Sequence, residues 1–141
     1  MSKAVAIFRI ALGLYYLANG LNFFFHFLEL GAVQNPVANM LMGGFVQSGM
    51  FELVKVAEVA AGLSLIFNVY AALAMVMIYP IAVIISYIDI VVLGKELAGN
   101  INGSLFFVAN TVLLLFYLPY YRGMFVLRAQ PDPTFSTLKK R

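Results

Sequence analysis

Residues 50–67 read MFELVKVAEVAAGLSLIF, an apolar run of membrane-span length that carries Glu52, Lys55 and Glu58 at spacings of three residues. A charge near the centre of a bilayer costs roughly 2.5–3.5 kcal/mol on insertion scales. We therefore expect these charged side chains to be paired and to face a protein interior or a wet cavity. The run indicates where a functional site lies, and it does not indicate what that site does.

The composition of the whole chain is typical of an integral membrane protein. Of its 141 residues, 63% are hydrophobic and 11% are charged, and the mean hydropathy is +0.94. A chain of this length forms one domain. Four apolar runs each approach the ~20 residues that cross the hydrocarbon core. We predict an all-α fold, an integral membrane antiparallel four-helix bundle within residues 1–125, with spans at about 4–28, 50–67, 70–93 and 104–121.

The second and third predicted spans are separated by two residues, Asn68 and Val69. So short a connection predicts a tight antiparallel hairpin. Pro80 lies inside the third span. Because proline removes a backbone donor and clashes with the preceding turn, we expect a kink there, which membrane helices tolerate.

The basic residues indicate the orientation of the bundle. They gather near the two chain ends, whereas the first loop has no Lys or Arg and the second outer loop has only Lys95. The positive-inside rule then places both termini in the cytoplasm, with residues 126–141 as a basic tail against anionic headgroups. The chain is basic, with a net charge of +3 and a pI near 9.3. Because the basic residues gather at the chain ends, membrane orientation explains them better than nucleic-acid binding does, and we expect no nucleic-acid partner.

The loop at residues 29–49 contains Pro36 followed by Val37, Met40, Leu41 and Phe45. These positions suit a short amphipathic helix at the outer interface. Such a helix would be a lid over a cavity or a plain interfacial connector, and the pattern favours the connector.

Polar residues from all four spans fall at a similar depth. Counted from the outer boundary at 1.5 Å per residue, they lie within roughly 7–12 Å of the hydrocarbon edge. We predict a polar pocket of Asn19, Asn22, Lys55, Glu58, Ser86 and Asn110, with His26, Glu52 and Asp89 as a rim. Alternatively, these groups only satisfy one another and fix the helix register. The charged pair favours the pocket, because neutral groups would hold helices at a lower desolvation cost.

The inner half of the predicted bundle carries little charge besides Arg9. Its long side chain is expected to reach the cytoplasmic headgroups. The chain has no cysteine and one histidine, which excludes disulfides, thiolate metal sites, iron–sulfur ligation and bis-histidine haem ligation within one copy. We predict no metal site.

The pattern Lys55-x-x-Glu58-x-x-x-Gly62 follows the turn Gln47-Ser48-Gly49-Met50-Phe51, and Tyr79-Pro80-Ile81 lies in the next span. Together with Arg9, Gly13, Gly20, Asn110 and Tyr121-Arg122, this resembles the DoxX family of four-helix bacterial membrane proteins over residues 7 to 125. The chain departs from subfamilies that have Asn and His in the third span, since Ile84, Ile85, Ser86 and Tyr87 stand there.

DoxX-like proteins are named for a subunit of a terminal quinol oxidase or thiosulfate:quinone oxidoreductase, and others are associated with redox-stress systems. The resemblance therefore implies a bacterial inner-membrane location and a non-catalytic accessory role in an oxidoreductase system, with other membrane subunits as partners and quinone as the candidate cofactor. Two alternatives stay open. One is a small-molecule binding or transport protein, which would form a homo-oligomer, and the other is an assembly partner without a ligand.

Overall fold

The computed structural model describes residues 3–28, 35–94 and 105–125, and within them the chain is helical without a strand. This confirms the predicted all-α class. The α-helices are α1 (Lys3–Phe25), α2 (Pro36–Gln47), α3 (Met50–Phe67), α4 (Ala71–Tyr87), α5 (Phe106–Phe116) and α6 (Leu118–Tyr121). A π-helical segment, Ile88–Val92, continues α4, and a 3-10 turn, Arg122–Met124, follows α6. The predicted tail at 126–141, Lys95 and the start of the fourth span lie outside the described residues.

Two of the described helical segments are long and apolar enough to cross a membrane, Lys3–Phe25 and Ala71–Val92. The second comprises α4 and its π-helical continuation. A shorter apolar helix, Phe106–Phe116, follows. These lengths and compositions agree with a membrane location.

Among the described helices, α1 and α3 pack most closely, and they run antiparallel. Gly13 lies against Gly62 and Leu65, whereas Gly20, two turns further along α1, lies against the backbone of Lys55. A Cβ atom built on Gly62 would stand 2.8 Å from the Gly13 carbonyl oxygen, which is closer than real Cβ atoms approach. The glycines therefore allow the two backbones to touch, as small residues do between membrane helices.

The predicted hairpin between α3 and α4 is present and uses three residues, 68–70. Asn68 and Tyr70 both adopt left-handed backbone conformations, with φ of 57° and 53°. Two tyrosines beyond α5 hold this turn. The Tyr117 hydroxyl donates to the side chain of Asn68 (3.1 Å), and the Tyr121 hydroxyl donates to the carbonyl of Ala72 (2.7 Å). Helix α4 continues through Pro80, and the kink expected there stays a prediction.

Arg9 does not extend towards headgroups as expected; it is buried, with 5% of its surface exposed. Its guanidinium donates to the carbonyl oxygens of Leu65 and Ile66 in the last turn of α3. The last carbonyls of a helix lack intrahelical partners and form the negative end of its dipole, so a cation there is stabilised. Arg9 thus ties α1 to the end of α3 instead of reaching outward.

Candidate functional site

A cavity of about 290 Å³ lies at the end of the molecule where α1 finishes and α3 begins. Five elements surround it: α1, α2, α3, the end of α4 with its π-helical segment, and the start of α5. We call it the polar cavity, because its lining includes six side chains with polar groups, Tyr15, Tyr16, Asn19, Lys55, Glu58 and Asp89. A smaller cavity of about 190 Å³ between α3 and α4 has an almost wholly apolar lining and no charged residue.

Lys55 and Glu58 form an ion pair in the wall of the polar cavity. The Lys55 Nζ atom donates to Glu58 Oε2 at 2.8 Å, and the two side chains are 14% and 3% exposed. Residues three apart on a helix are neighbours on its surface, so the two charged groups of α3 can meet. The Lys55 ammonium also lies 5.1 Å from the centre of the Phe51 ring. The predicted pairing of Lys55 with Glu58 is confirmed.

Helix α1 contributes Asn19 together with two tyrosines that the predicted pocket did not include. The Asn19 amide nitrogen donates to the carbonyl oxygen of Tyr15 at 2.9 Å, one turn earlier. Tyr15 lines the polar cavity together with the two carboxylates, Glu58 and Asp89. Its position four residues before Asn19 places it on the same helix face, which was the available signal in the sequence.

Aromatic rings make up much of the remaining wall. The rings of Tyr15 and Tyr16 each lie 4.8 Å from the ring of Phe106, at the start of α5. Phe51 covers another part of the lining. The sequence does not distinguish these aromatic residues from those that only pack in the core, because the cavity wall and the core are both apolar.

Three predicted pocket residues do not line the polar cavity, and their side chains are bonded elsewhere. Asn22 closes the turn after α1: its side-chain oxygen accepts from the Leu28 amide at 2.6 Å, and its nitrogen donates to the Leu28 carbonyl at 3.1 Å. The Ser86 hydroxyl donates to the carbonyl of Ala82 in the preceding turn of α4 (2.8 Å). These bonds fit the alternative in which polar groups stabilise the fold.

Asn110, the third of these residues, is fully buried behind the cavity wall. Its side-chain oxygen accepts from the Tyr16 hydroxyl at 2.6 Å, and its nitrogen donates to the Phe106 carbonyl at 2.8 Å. Asn110 therefore positions two lining residues, Tyr16 and Phe106, without entering the cavity.

The three predicted rim residues have different locations. Asp89, on the π-helical segment, lines the polar cavity. Glu52 is exposed on α3 and is not part of the lining, and His26 is exposed just after α1 with a left-handed backbone (φ 51°). In the part of the chain that the structure describes, no three His, Cys, Asp or Glu side chains come close enough together to hold a metal ion.

Helix α2 forms a wall of the polar cavity, although the sequence favoured a plain connector. Ala38 is buried and lines the cavity with Met42. Asn35 fixes the start of this helix: its side-chain oxygen accepts from the amides of Val37 (2.9 Å) and Ala38 (3.1 Å). Its side-chain nitrogen donates to the Val92 carbonyl at 3.0 Å, which joins α2 to the end of the π-helical segment.

A quinone headgroup needs hydrogen-bond donors near its carbonyls, and four residues of the predicted pocket have side-chain N–H groups, Lys55, Asn19, Asn22 and Asn110. Of Lys55, Asn19, Asn22 and Asn110, only Lys55 and Asn19 line the cavity. The Asn19 amide nitrogen donates to the carbonyl of Tyr15, which uses one of its two N–H groups. Lys55 has three N–H groups and one bonded carboxylate oxygen. Both residues therefore keep donor capacity for a ligand carbonyl.

Comparison of the chain with protein-family models, curated proteins and solved structures finds no match. The resemblance to the DoxX family therefore stays a prediction.

Proposed function

We propose that this chain is a multi-pass membrane protein whose polar cavity binds a small amphipathic molecule. In this proposal α1, α3, α4 with its π-helical segment, and α5 with α6 cross the bilayer as an antiparallel four-helix bundle. Both termini are cytoplasmic, and the polar cavity opens towards the outer side. The observation that carries the proposal is the Lys55–Glu58 ion pair in the cavity wall, in which Glu58 is buried and Lys55 is largely covered.

Large apolar side chains on the outer surface of the helices support the membrane location. On α3, Leu53 is 67% exposed and Phe67 is 68% exposed, while Glu58 on the same helix is buried. On α4, Met77 is 69% exposed although the neighbouring Ile78 is buried. Soluble proteins rarely leave apolar surface of this extent in contact with water, whereas a bilayer solvates it.

The cost of the ion pair supports a binding role for the polar cavity. Two charges taken out of water lose several kcal/mol of hydration each, and their attraction repays this only in part. Pairs of neutral side chains, such as Tyr16 with Asn110, already bond helices together in this protein. A few convergent polar groups in apolar walls between helices are a common ligand site. We infer that the polar head of the ligand contacts Lys55 and Glu58, and that its apolar part lies against Phe51 and Phe106.

The test is ligand retention by a folded protein with an uncharged cavity. Wild-type protein and the double variant Lys55→Met/Glu58→Gln are purified from native membranes and extracted for mass spectrometry of lipophilic molecules. We expect a molecule that co-purifies with the wild type and is lost from the double variant, while Glu52→Gln, which changes an exposed carboxylate on the same helix, retains it. Equal retention by a folded double variant would remove the polar cavity as the site and favour the assembly partner without a ligand.

The resemblance adds a more specific role, a non-catalytic accessory of a quinone-linked oxidoreductase. Under this role the retained molecule is a quinone, and the chain co-purifies with other membrane subunits in stoichiometric amount. The same purification, analysed for proteins, tests it. A chain that elutes alone or as a homo-oligomer with a ligand other than quinone would leave the binding or transport role in its place.

A further inference from the structure

We propose that the ligand of the polar cavity has an uncharged head group that both donates and accepts a hydrogen bond, such as a primary carboxamide, on an apolar body. This inference rests on the proposed binding function and narrows the chemical class of the ligand. It follows from the hydrogen-bonding groups that Lys55 and Glu58 keep free in the cavity wall, and from the opposite charges of the two side chains.

One oxygen atom of Glu58 is open to a donor. Lys55 bonds to Oε2 at 2.8 Å, and the other oxygen, Oε1, has no hydrogen-bond partner among the described residues. Oε1 is not sealed in the interior either, because in that part of the chain Arg9 Nε is the one fully buried side-chain atom that lacks a partner. A carboxylate oxygen without a donor is costly in an apolar wall, so an N–H or O–H group of a ligand would stabilise it.

Lys55 keeps the complementary groups. Its ammonium has three N–H groups, of which one is bonded to Glu58. The side chain is part of the cavity lining and is 14% exposed. Because the two side chains meet at 2.8 Å, the remaining N–H groups and the free carboxylate oxygen lie close together. One head group that carries both an acceptor and a donor can therefore bond to both residues.

The ion pair also disfavours a head group with a net charge. An anion that contacts Lys55 would meet Glu58 beside it, and a cation that contacts Glu58 would meet Lys55. Like charges repel strongly in surroundings of low dielectric constant. Tyr15 and Asp89 line the same cavity, but each has an interaction of its own in the fold, and neither is assigned to the head group.

A zwitterionic head group would match both charges of the pair. It would, however, lose the hydration of two further charges, and more than half of the residues that line the cavity are apolar. An uncharged group with one donor and one acceptor makes the same two contacts without that cost. A carboxamide fits this description, and Asn19, whose side chain is itself an amide, already lines the cavity.

The experiment compares five probes that have a phenyl ring and a short chain of similar length. Hydrocinnamamide donates and accepts, whereas benzylacetone, in which a methyl group replaces the amino group, only accepts. The others are the anion hydrocinnamate, the cation phenylpropylammonium and the zwitterion phenylalanine. Binding is measured by ligand-observed NMR titration of the protein in nanodiscs of a zwitterionic lipid, against protein-free nanodiscs that correct for partitioning. We expect hydrocinnamamide to bind at least tenfold more tightly than each of the others.

Variants test which side chains the head group contacts. Glu58→Gln replaces a carboxylate oxygen by an amide nitrogen, so the cavity loses an acceptor and gains a donor. The preference for hydrocinnamamide over benzylacetone should then fall at least fivefold, whereas Glu52→Gln, which changes an exposed carboxylate, should keep it. Lys55→Met leaves Glu58 without its cation, so phenylpropylammonium should bind this variant at least tenfold more tightly than the wild type. A residue with only a structural role would not change the order of the probes. If Lys55→Met fails to fold, the comparison of Glu58→Gln with Glu52→Gln decides the question.

The outcomes separate this inference from the proposed function. Equal or tighter binding of benzylacetone or of a charged probe, lost in Lys55→Met/Glu58→Gln, would overturn the uncharged donor–acceptor class and leave the polar cavity as a binding site. An unchanged probe preference in Glu58→Gln would overturn the contact with Glu58. If no probe binds, the molecule that co-purifies with the wild type decides: a head group without an N–H or O–H group, as in a quinone, overturns this inference alone. If no molecule co-purifies either, both the inference and the binding function fail.

Discussion

Removing the charge of Lys55 should destabilise the protein more than removing the charge of Glu58. At 2.8 Å, the separation of the two groups, the attraction is about 6 kcal/mol for an effective dielectric constant near 20. Most of that energy offsets the hydration that both groups lost. When one charge is removed, the loss of stability therefore depends on how well the remaining charged group can reach water or another partner.

The two groups differ in this respect. The Glu58 side chain is 3% exposed, and among the described residues Lys55 is the cation that it contacts. In Lys55→Met the carboxylate stays buried without a cation, and we expect a loss of about 3–5 kcal/mol, the usual cost of breaking a buried pair from one side. The Lys55 side chain is 14% exposed and has the Phe51 ring beside it. In Glu58→Gln it can turn towards the cavity, and we expect a loss of about 1–2 kcal/mol because the amide still accepts a hydrogen bond.

The double variant Lys55→Met/Glu58→Gln should lose less than Lys55→Met alone, because no charge is left without a partner. The assay is reversible unfolding of the purified protein in mixed micelles of a mild detergent and SDS, followed by circular dichroism, which yields a free energy for each variant. The wild type, both single variants and the double variant form a thermodynamic cycle. Additive losses, or a larger loss for Glu58→Gln than for Lys55→Met, would refute the reasoning.

Three further predictions concern the proposed topology and the packing of α1 against α3. The chain has no cysteine, so a cysteine introduced at Asn39 should react with an impermeant reagent in sealed cells and one at Thr137 should not; the reverse result would invert the topology. Arg9→Met should lower the unfolding free energy by about 1.5–3 kcal/mol in the same micelle assay, because two carbonyls lose a charged donor, and an unchanged stability would show that these bonds do not form. Gly62→Ala should cost about 1–3 kcal/mol by forcing α1 and α3 apart, whereas Gly43→Ala, which has open space on α2, should not destabilise; equal effects would contradict the close packing.

The helical class and the tight α3–α4 turn could be predicted because they depend on properties that sequence displays directly. The apolar runs set the helix lengths, and a connection of two or three residues permits one geometry, a reversal of direction. The direction of the Arg9 side chain could not be predicted in this way. An arginine at this position could extend to the headgroups or turn inward. It turns inward because the end of α3 lies beside it, and the carbonyl that it contacts belongs to a residue 56 positions later in the chain. The residues next to Arg9 in the sequence do not indicate that tertiary contact.

The amides of α1 illustrate the same limit on a smaller scale. Asn19 and Asn22 are three residues apart, so at about 100° per residue their directions differ by about 60°. That angle is enough for Asn19 to line the polar cavity while Asn22 bonds to Leu28. Position along a helix could be counted from the sequence, but the rotation of a helix about its axis is set by packing. Here the close contact of Gly13 and Gly20 with α3 fixes that rotation.

Which of the predicted residues line the cavity can be related to the free-energy cost of burying each group. An amide or hydroxyl can satisfy itself on the backbone of its own helix, as Ser86 does, so its presence in a span says little about where a cavity lies. The backbone of its own helix does not compensate a buried charge in this way, and burying a charge without a partner costs several kcal/mol. The pairing of Lys55 with Glu58 could therefore be inferred from their spacing and their apolar surroundings, and the cavity lies beside them. In an apolar helix, the groups that cost most to bury are the most informative about the position of a site.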